Sequence, residues 1–298
     1  MSNIHTIHIP AEWSGMTLHS FLRQYLNLSR TGIRSLKRHN AIQVNGHIVT
    51  VRYLLQTGDI LVIAFPETPP QPFAGENIPL DIVYEDSDLI VINKPAGMVV
   101  HPTMKHRSGT LANALRYHWE TRGENAGFHP VHRLDRLTSG LILIAKNAWA
   151  HQQLDLQIES NQIHRLYLAI CEGEIPKTSG RIDAPILSLA ETPKRQISAL
   201  GKPSITRFRS LIRSSEASLL AVKIFTGRTH QIRVHLSHTG HPLWGDTLYD
   251  SVHSEFHRPA LHAALLSFIH PRTRKRLRFR ADIPEDLYHL LKNLLVKM

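Results

Sequence analysis

Five prolines fall within residues 66–79, PETPPQPFAGENIP, and this segment constrains the fold of the 298-residue chain more than any other. Proline fixes φ and removes a backbone donor, so neither a helix interior nor a central strand runs through such a stretch. No apolar period replaces what the prolines forbid. The segment therefore reads as a stiff, extended linker between a small unit, residues 1–65, and a large one, residues 80–298. The chain is long enough to bury a substantial core.

In the small unit, Leu18, Phe21, Leu22, Tyr25 and Leu26 recur at helical spacing and predict one apolar helix face. Ser29 is a natural N-cap for a second short helix, with Ile33 and Leu36 on one side and Arg30, Arg34, Lys37 and Arg38 on the other. AIQVNGHIV then predicts a hairpin, because Asn45-Gly46 tolerates the positive φ angles of a two-residue turn. Two helices, a basic face and short strands resemble the S4 RNA-binding domain. An ordinary solvated helix face would show the same charges.

Beyond the linker, strand-like runs dominate: LDIVYED, LIVINKP, MVVHP, LILIAK, RLYLAICEG, TRFRSLI, SLLAVKIF and HQIRVHL. Helical stretches, GTLANALRYHW and AWAHQQLDLQIE, are few. Strands joined mostly by turns predict an α+β domain with a largely antiparallel or mixed sheet. Between Pro271 and Arg280 lie six basic residues, and alternation at Arg274, Arg276, Arg278 and Arg280 would put arginines on one strand face.

The formal net charge of +11 and pI near 10.0 call for a polyanionic partner. No apolar stretch approaches the roughly 20 residues of a spanning helix, which favours nucleic acid over a membrane. The opening MSNIHTIHIPAEW lacks the basic-then-apolar layout of a secretory signal, and the lone Cys171 has no internal partner. A cytoplasmic protein is expected. His230, His235, His238 and His241 are close in sequence, but at spacings that share no single face and with no HExxH or cysteine pair. No metal is expected.

Four segments could carry chemistry. In VHRLDRLTSGLILIAK, Asp135 stands among His132, Arg133 and Arg136, and neighbouring cations favour an ionised carboxylate. A surface ion pair would look alike. In INKPAGMVVHP, Lys94-Pro95 and Gly97 shape a turn; in HRLYLAICEG, Arg165 and Tyr167 share a strand face; in FTGRTHQIRVHL, Gly227 turns the chain and Arg228 could grip a carboxylate bidentately.

In this order the four segments resemble the RluA family of RNA pseudouridine synthases, from about Leu80 to the C-terminus. HRLDxxTSGL and GRTHQIRVH are long and specific patterns. The resemblance implies that Asp135 is the catalytic aspartate, Tyr167 packs against the target base, and Arg228 pairs with the aspartate. It further implies Ile232 as the aliphatic residue beneath the site and Arg133 as the side chain that enters the space left by a flipped uridine. His132, Arg165 and Lys94, from the same segments, are expected at the substrate, and Arg30, Arg34, Lys37 and Arg38 at RNA. Two departures are visible: Leu137 stands where a polar or acidic residue is common, and Arg165 where a lysine is.

The chemistry fits those residue types. Conversion of uridine to pseudouridine breaks N1–C1′ and joins C5 to the same carbon, so no atom enters or leaves and no cofactor is required. An ionised carboxylate is needed, to attack C1′ or to take a proton from C2′. A stacked base must also be flipped out, at a cost of a few kcal/mol. The expected protein is a monomeric enzyme on ribosomal RNA, with transfer RNA as the alternative substrate. A non-catalytic RNA-binding assembly factor and an RNA N-glycosidase are the competing readings.

Overall fold

The computed structural model describes residues 4–65, 72–189 and 192–296. The first six residues of the expected linker, 66–71, lie outside the described residues. The small unit runs β1 (Ile4–His8), α1 (Leu18–Gln24), α2 (Arg30–Arg38), β2 (Ile42–Val44), β3 (His47–Ile48) and β4 (Ile60–Ala64), with its four strands in one sheet ordered β1-β4-β2-β3. Ser29 caps α2 by accepting the Gly32 N–H at 3.0 Å, and Asn45 and Gly46 both take positive φ in the hairpin turn. All four basic residues of α2 are exposed, opposite buried Ile33 and Leu36.

The large unit comprises β5 (Ile82–Glu85), β6 (Leu89–Lys94), α3 (Leu111–Thr121), β7 (His129–Pro130), β8 (Ser139–Ala145), α4 (Ala148–Glu159), β9 (His164–Glu172), β10 (Ser179–Asp183), β11 (Ile186–Ser188), β12 (Arg195–Ile197), β13 (Ile205–Arg213), β14 (Ala217–Ile224), α5 (Gln231–His238), β15 (Leu261–Ile269), β16 (Arg276–Arg280) and α6 (Glu285–Val296). Ten strands form a mixed α+β sheet, ordered β10-β13-β14-β9-β15-β8-β6-β5, with β16 beside β15 and β7 beside β8. Among the described residues only the β15–β8 pairing is parallel. Gly140 permits it: at φ +111° a side chain there would collide with the Ala263 backbone.

Strands β6 and β8 read as unbroken apolar runs because they feed two cores. Leu89, Val91, Leu141 and Leu143 enter a core shared with the small unit, while Ile90, Ile92, Ile142 and Ile144 enter the core beneath α3. A third core lies under α6, built from Ile170, Trp244, Leu287 and Leu294.

The small unit is not merely tethered. His5 packs on Trp149 with ring centroids 4.8 Å apart, and Phe65 stacks on the same indole at 5.4 Å. Arg272 grips Asp88 through two bonds of 2.5 and 2.7 Å and donates to the Ile4 carbonyl at 2.8 Å. Arg274 donates to the Tyr25 carbonyl, and Gln153 to that of Leu26. The described end of the linker also adheres to the large unit, since Phe73 packs edge-on to Phe128 and the Glu76 carboxylate accepts the Gly109 N–H.

Three expectations are corrected. HQIRVHL is helix α5, not a strand: Gln231 to Leu236 are all buried, so their pattern carries no period of two. MVVHP forms no strand. Arg274 leaves the arginine row, because it occupies the β15–β16 turn at φ 57°; Arg276, Arg278 and Arg280 remain on one exposed face.

Candidate active site

Asp135 lies in the loop between β7 and β8, at a cavity of about 560 Å³, with its side chain 26% exposed. The loop is fixed from behind. Lys94, fully buried, donates to the carbonyls of Pro95, Met98 and Arg136 at 2.8, 3.0 and 3.2 Å, and the Gly97 N–H reaches the same Arg136 carbonyl at 2.8 Å. Burial pushes the Lys94 ammonium down to about 7, against the opposing pull of Asp135. Lys94 was expected at the substrate; the structure turns its ammonium onto backbone acceptors instead, as burial of a charge requires. It positions the loop.

Helix α5 supplies the other side. His230, at φ 59°, turns the chain into the helix, and the Gln231 side chain accepts from the Thr226 hydroxyl and the Arg228 N–H to hold that turn. One helical turn brings His230 and Arg233 to the same face. Arg233 Nη1 lies 3.5 Å from Asp135 Oδ2, and His230 Nε2 lies 3.9 Å from it. Arg233 is itself clamped by buried Asp246 through bonds of 2.7 and 2.8 Å. The guanidinium therefore stays charged and oriented while its long contact leaves Asp135 free to react. The Arg195 N–H donates to the Tyr249 hydroxyl at 2.7 Å, so that hydroxyl can donate to His230 Nδ1 at 3.0 Å and leave the Nε2 proton facing Asp135. Burial lowers the His230 pKa while Asp135 opposes the shift.

The expected pairing of Arg228 with Asp135 is not formed. Arg228 precedes α5 and directs its Nε at the Pro203 carbonyl 3.5 Å away. It joins Arg133, Arg195 and Lys202 around a neighbouring cavity of about 350 Å³, beside Leu200, which is 86% exposed. Arg133 lines both cavities.

Strand β9 delivers Arg165 and Tyr167 to the main cavity, as the period of two required, and Ile232 of α5 closes it. Burial raises the Tyr167 pKa. His132 is buried at the same wall: its Nε2 accepts the Leu143 N–H at 3.2 Å, which puts the neutral ring's proton on Nδ1. Burial, then Arg165, holds its pKa down to about 3. Among the described residues neither His132 Nδ1 nor Arg165 Nε has a hydrogen-bond partner, so two buried donors face the cavity unpaired.

Among the described residues the histidines on and just after α5 form no cluster of metal-ligand atoms: His235 bonds Thr206 and the Ala184 carbonyl, while His241 bonds the Glu172 carbonyl. Asp86, Asp88 and His270 do cluster, but their atoms already bond one another, Tyr84 and Arg272. Burial would raise the Asp86 carboxyl, yet bonds from His270 and Tyr84 hold it at about 2. That cluster is part of the clamp on the small unit.

Sequence reasoning missed Arg233, Asp246, His230 and Tyr249. Helical spacing between His230 and Arg233 was the available signal; Asp246, in WGDTLY, offered none.

A loop carboxylate flanked by a clamped arginine, with a tyrosine and an aliphatic floor, is an arrangement suited to chemistry at a sugar carbon. The RNA pseudouridylate synthase family model matches residues 88–238, and the RluD ribosomal pseudouridine synthase N-terminal domain matches residues 5–61. The chain is 41% identical over 253 residues to an uncharacterized RNA pseudouridine synthase of Bacillus subtilis, covering 84% of this chain and 89% of that one. It is 36% identical over 299 residues to the ribosomal large subunit pseudouridine synthase D of Pseudomonas aeruginosa, covering 95% and 93%. Among solved structures, human RNA pseudouridylate synthase domain containing 4 matches with a TM-score of 0.58 at 25% identity, covering 72% of this chain and 92% of that one. The chain belongs to the RNA pseudouridine synthase family. It is thus an isomerase that acts on RNA. Among the described residues, no helix is long and apolar enough to cross a membrane.

Proposed function

We propose that this protein isomerises uridines of large-subunit ribosomal RNA, as a cytoplasmic monomer, with Asp135 as the reacting carboxylate. One observation carries the reading: loop, strand and helix bring Asp135, Tyr167, Ile232 and Arg233 to one cavity from distant parts of the chain. The relatives named ribosomal large subunit pseudouridine synthase D favour ribosomal RNA as the substrate.

In this reading Asp135, with the Arg233 guanidinium 3.5 Å away, attacks C1′ or takes the C2′ proton as N1–C1′ breaks. The freed uracil turns, and C5 bonds to C1′ as the Asp135–C1′ bond breaks or as Asp135 returns the proton to C2′; C5 then gives up the proton that N1 gains. Tyr167 packs against the base above Ile232. The unpaired donors on Arg165 and His132 meet base or sugar oxygens; an unsatisfied buried donor costs about 1–3 kcal/mol, which a bound acceptor relieves. Arg133 fills the space the uridine leaves. Arg228, Arg195 and Lys202 hold flanking phosphates, and the basic face of α2 holds RNA further away.

The test is site mapping of pseudouridine in total RNA from cells lacking this protein. Loss of signal at a large-subunit position is expected. Loss confined to transfer RNA, or no change in any RNA, would overturn the substrate assignment.

A further inference from the structure

The face of the sheet turned away from the cavity carries a second cationic surface. Adjacent residues of a strand point to opposite faces, so Leu166 of β9 projects from the back while Tyr167 faces the cavity. Strand pairing sets Arg207, Lys223, Leu166, Leu265 and Arg280 side by side in one row across β13, β14, β9, β15 and β16. Two residues along, His164, Ser267 and Arg278 form the next row, and Arg276 follows Arg278 on its strand. Neighbouring strands are about 4.8 Å apart, so the row from Arg207 to Arg280 spans roughly 19 Å.

Core packing does not explain these cations. Arg207, Arg209, Arg276, Arg278 and Arg280 are exposed, whereas Leu277 and Phe279 between them turn inward. Among the described residues none of the five makes an ion pair; Asp183, on the next strand, is taken by Arg181. Arg207 and Lys223 both lie over the Phe225 ring, at 5.0 and 5.2 Å, and Lys223 also contacts His164 at 3.0 Å. The His164 pKa is lowered by burial, then by Lys223 and Arg276, which places all three in one field. Helix α6 covers the far end of this face, around Ile170 and Leu219, and leaves the basic end open.

We propose that this back face binds the phosphodiester backbone of an RNA helix remote from the target uridine, so that a large folded RNA touches both sides of the sheet. Unpaired guanidinium groups suit bidentate contact with phosphate oxygens, and Phe225, the ring beside them, is covered by Arg207 and Lys223 and not offered as an anchor for a protein partner. The inference rests on the reading of a large RNA as substrate. It also explains cations that a stem-loop seated in the cavity cannot reach.

The test compares wild type with an Arg276→Gln/Arg278→Gln/Arg280→Gln triple variant and an Arg207→Gln/Lys223→Gln double variant of the full chain, with circular dichroism confirming folding. Mobility shifts are measured over a range of salt on a large-subunit rRNA fragment of several helices and on a short uridine stem-loop. At 100 mM salt, the triple variant should lose about tenfold or more affinity for the long fragment, with under twofold change on the stem-loop. The slope of log K against log salt should shrink by roughly 0.7–0.9 for each phosphate no longer neutralised. Unchanged long-fragment affinity in both variants overturns the proposal, as does an equal loss on the stem-loop. Binding is read without turnover, so a failure to modify ribosomal RNA would strike the substrate assignment and leave this result to stand or fall separately.

Discussion

The basic groups at the cavity and those on α2 and β16 share chemistry but not circumstance. At the cavity, Arg233 is clamped by Asp246 and His132 is buried and neutral, while Lys94, behind the Asp135 loop, is surrounded by carbonyls. On α2 and β16 the arginines stand exposed without acidic partners among the described ion pairs. Buried basic groups fix geometry and tie the fold to pH, whereas exposed ones tie RNA binding to salt.

The largest expected effect separates Arg233 from Arg228. Arg233→Met should lower kcat by about 10²–10³, the scale of losing one preorganised charge-stabilising group. It should also destabilise the fold by about 3–5 kcal/mol, because Asp246 would remain buried without its partner. Arg228→Met should weaken RNA binding while kcat stays within a few-fold. Steady-state kinetics and urea melts decide, and a larger kcat loss in the Arg228 variant would break the comparison.

Acid comes next. Burial, then Arg272, lowers His5 from 6.5 to about 4. Between those values the unfolded chain binds a proton that the folded chain refuses, so stability is full above pH 6.5 and falls as pH drops toward 4. The loss is about 3 kcal/mol from a shift of this size. Urea melts at stepped pH should show a shallower acid slope in His5→Phe than in wild type.

The smallest effect concerns α2. Arg34→Gln/Arg38→Gln should weaken RNA binding by about 1 kcal/mol and flatten its salt dependence, with kcat unchanged. A fall in kcat would mean that α2 does more than hold phosphate.

Much of the fold is legible in the sequence. Ser29 and Asn45-Gly46 signal a cap and a turn through local chemistry, and Arg165 and Tyr167 share a face by strand geometry alone. The segment from Gln231 to Leu236 hides its helix because burial on every side erases the pattern that tells helix from strand. With the helix hidden, Arg233 cannot be distinguished from Arg228, and Asp246 gives no reason to be noticed. Lys94 and His5 escape a sequence reading for a related reason: their environments are made by backbone and rings distant in sequence.

Asp135 remains the centre of the account, and one substitution tests it. Asp135→Asn keeps the shape of the side chain and removes its charge. Pseudouridine-specific chemical labelling with primer extension, on purified enzyme and its RNA, should detect no product, while RNA binding stays within a few-fold of wild type. Retained turnover in that variant would contradict the assignment of Asp135 as the reacting carboxylate.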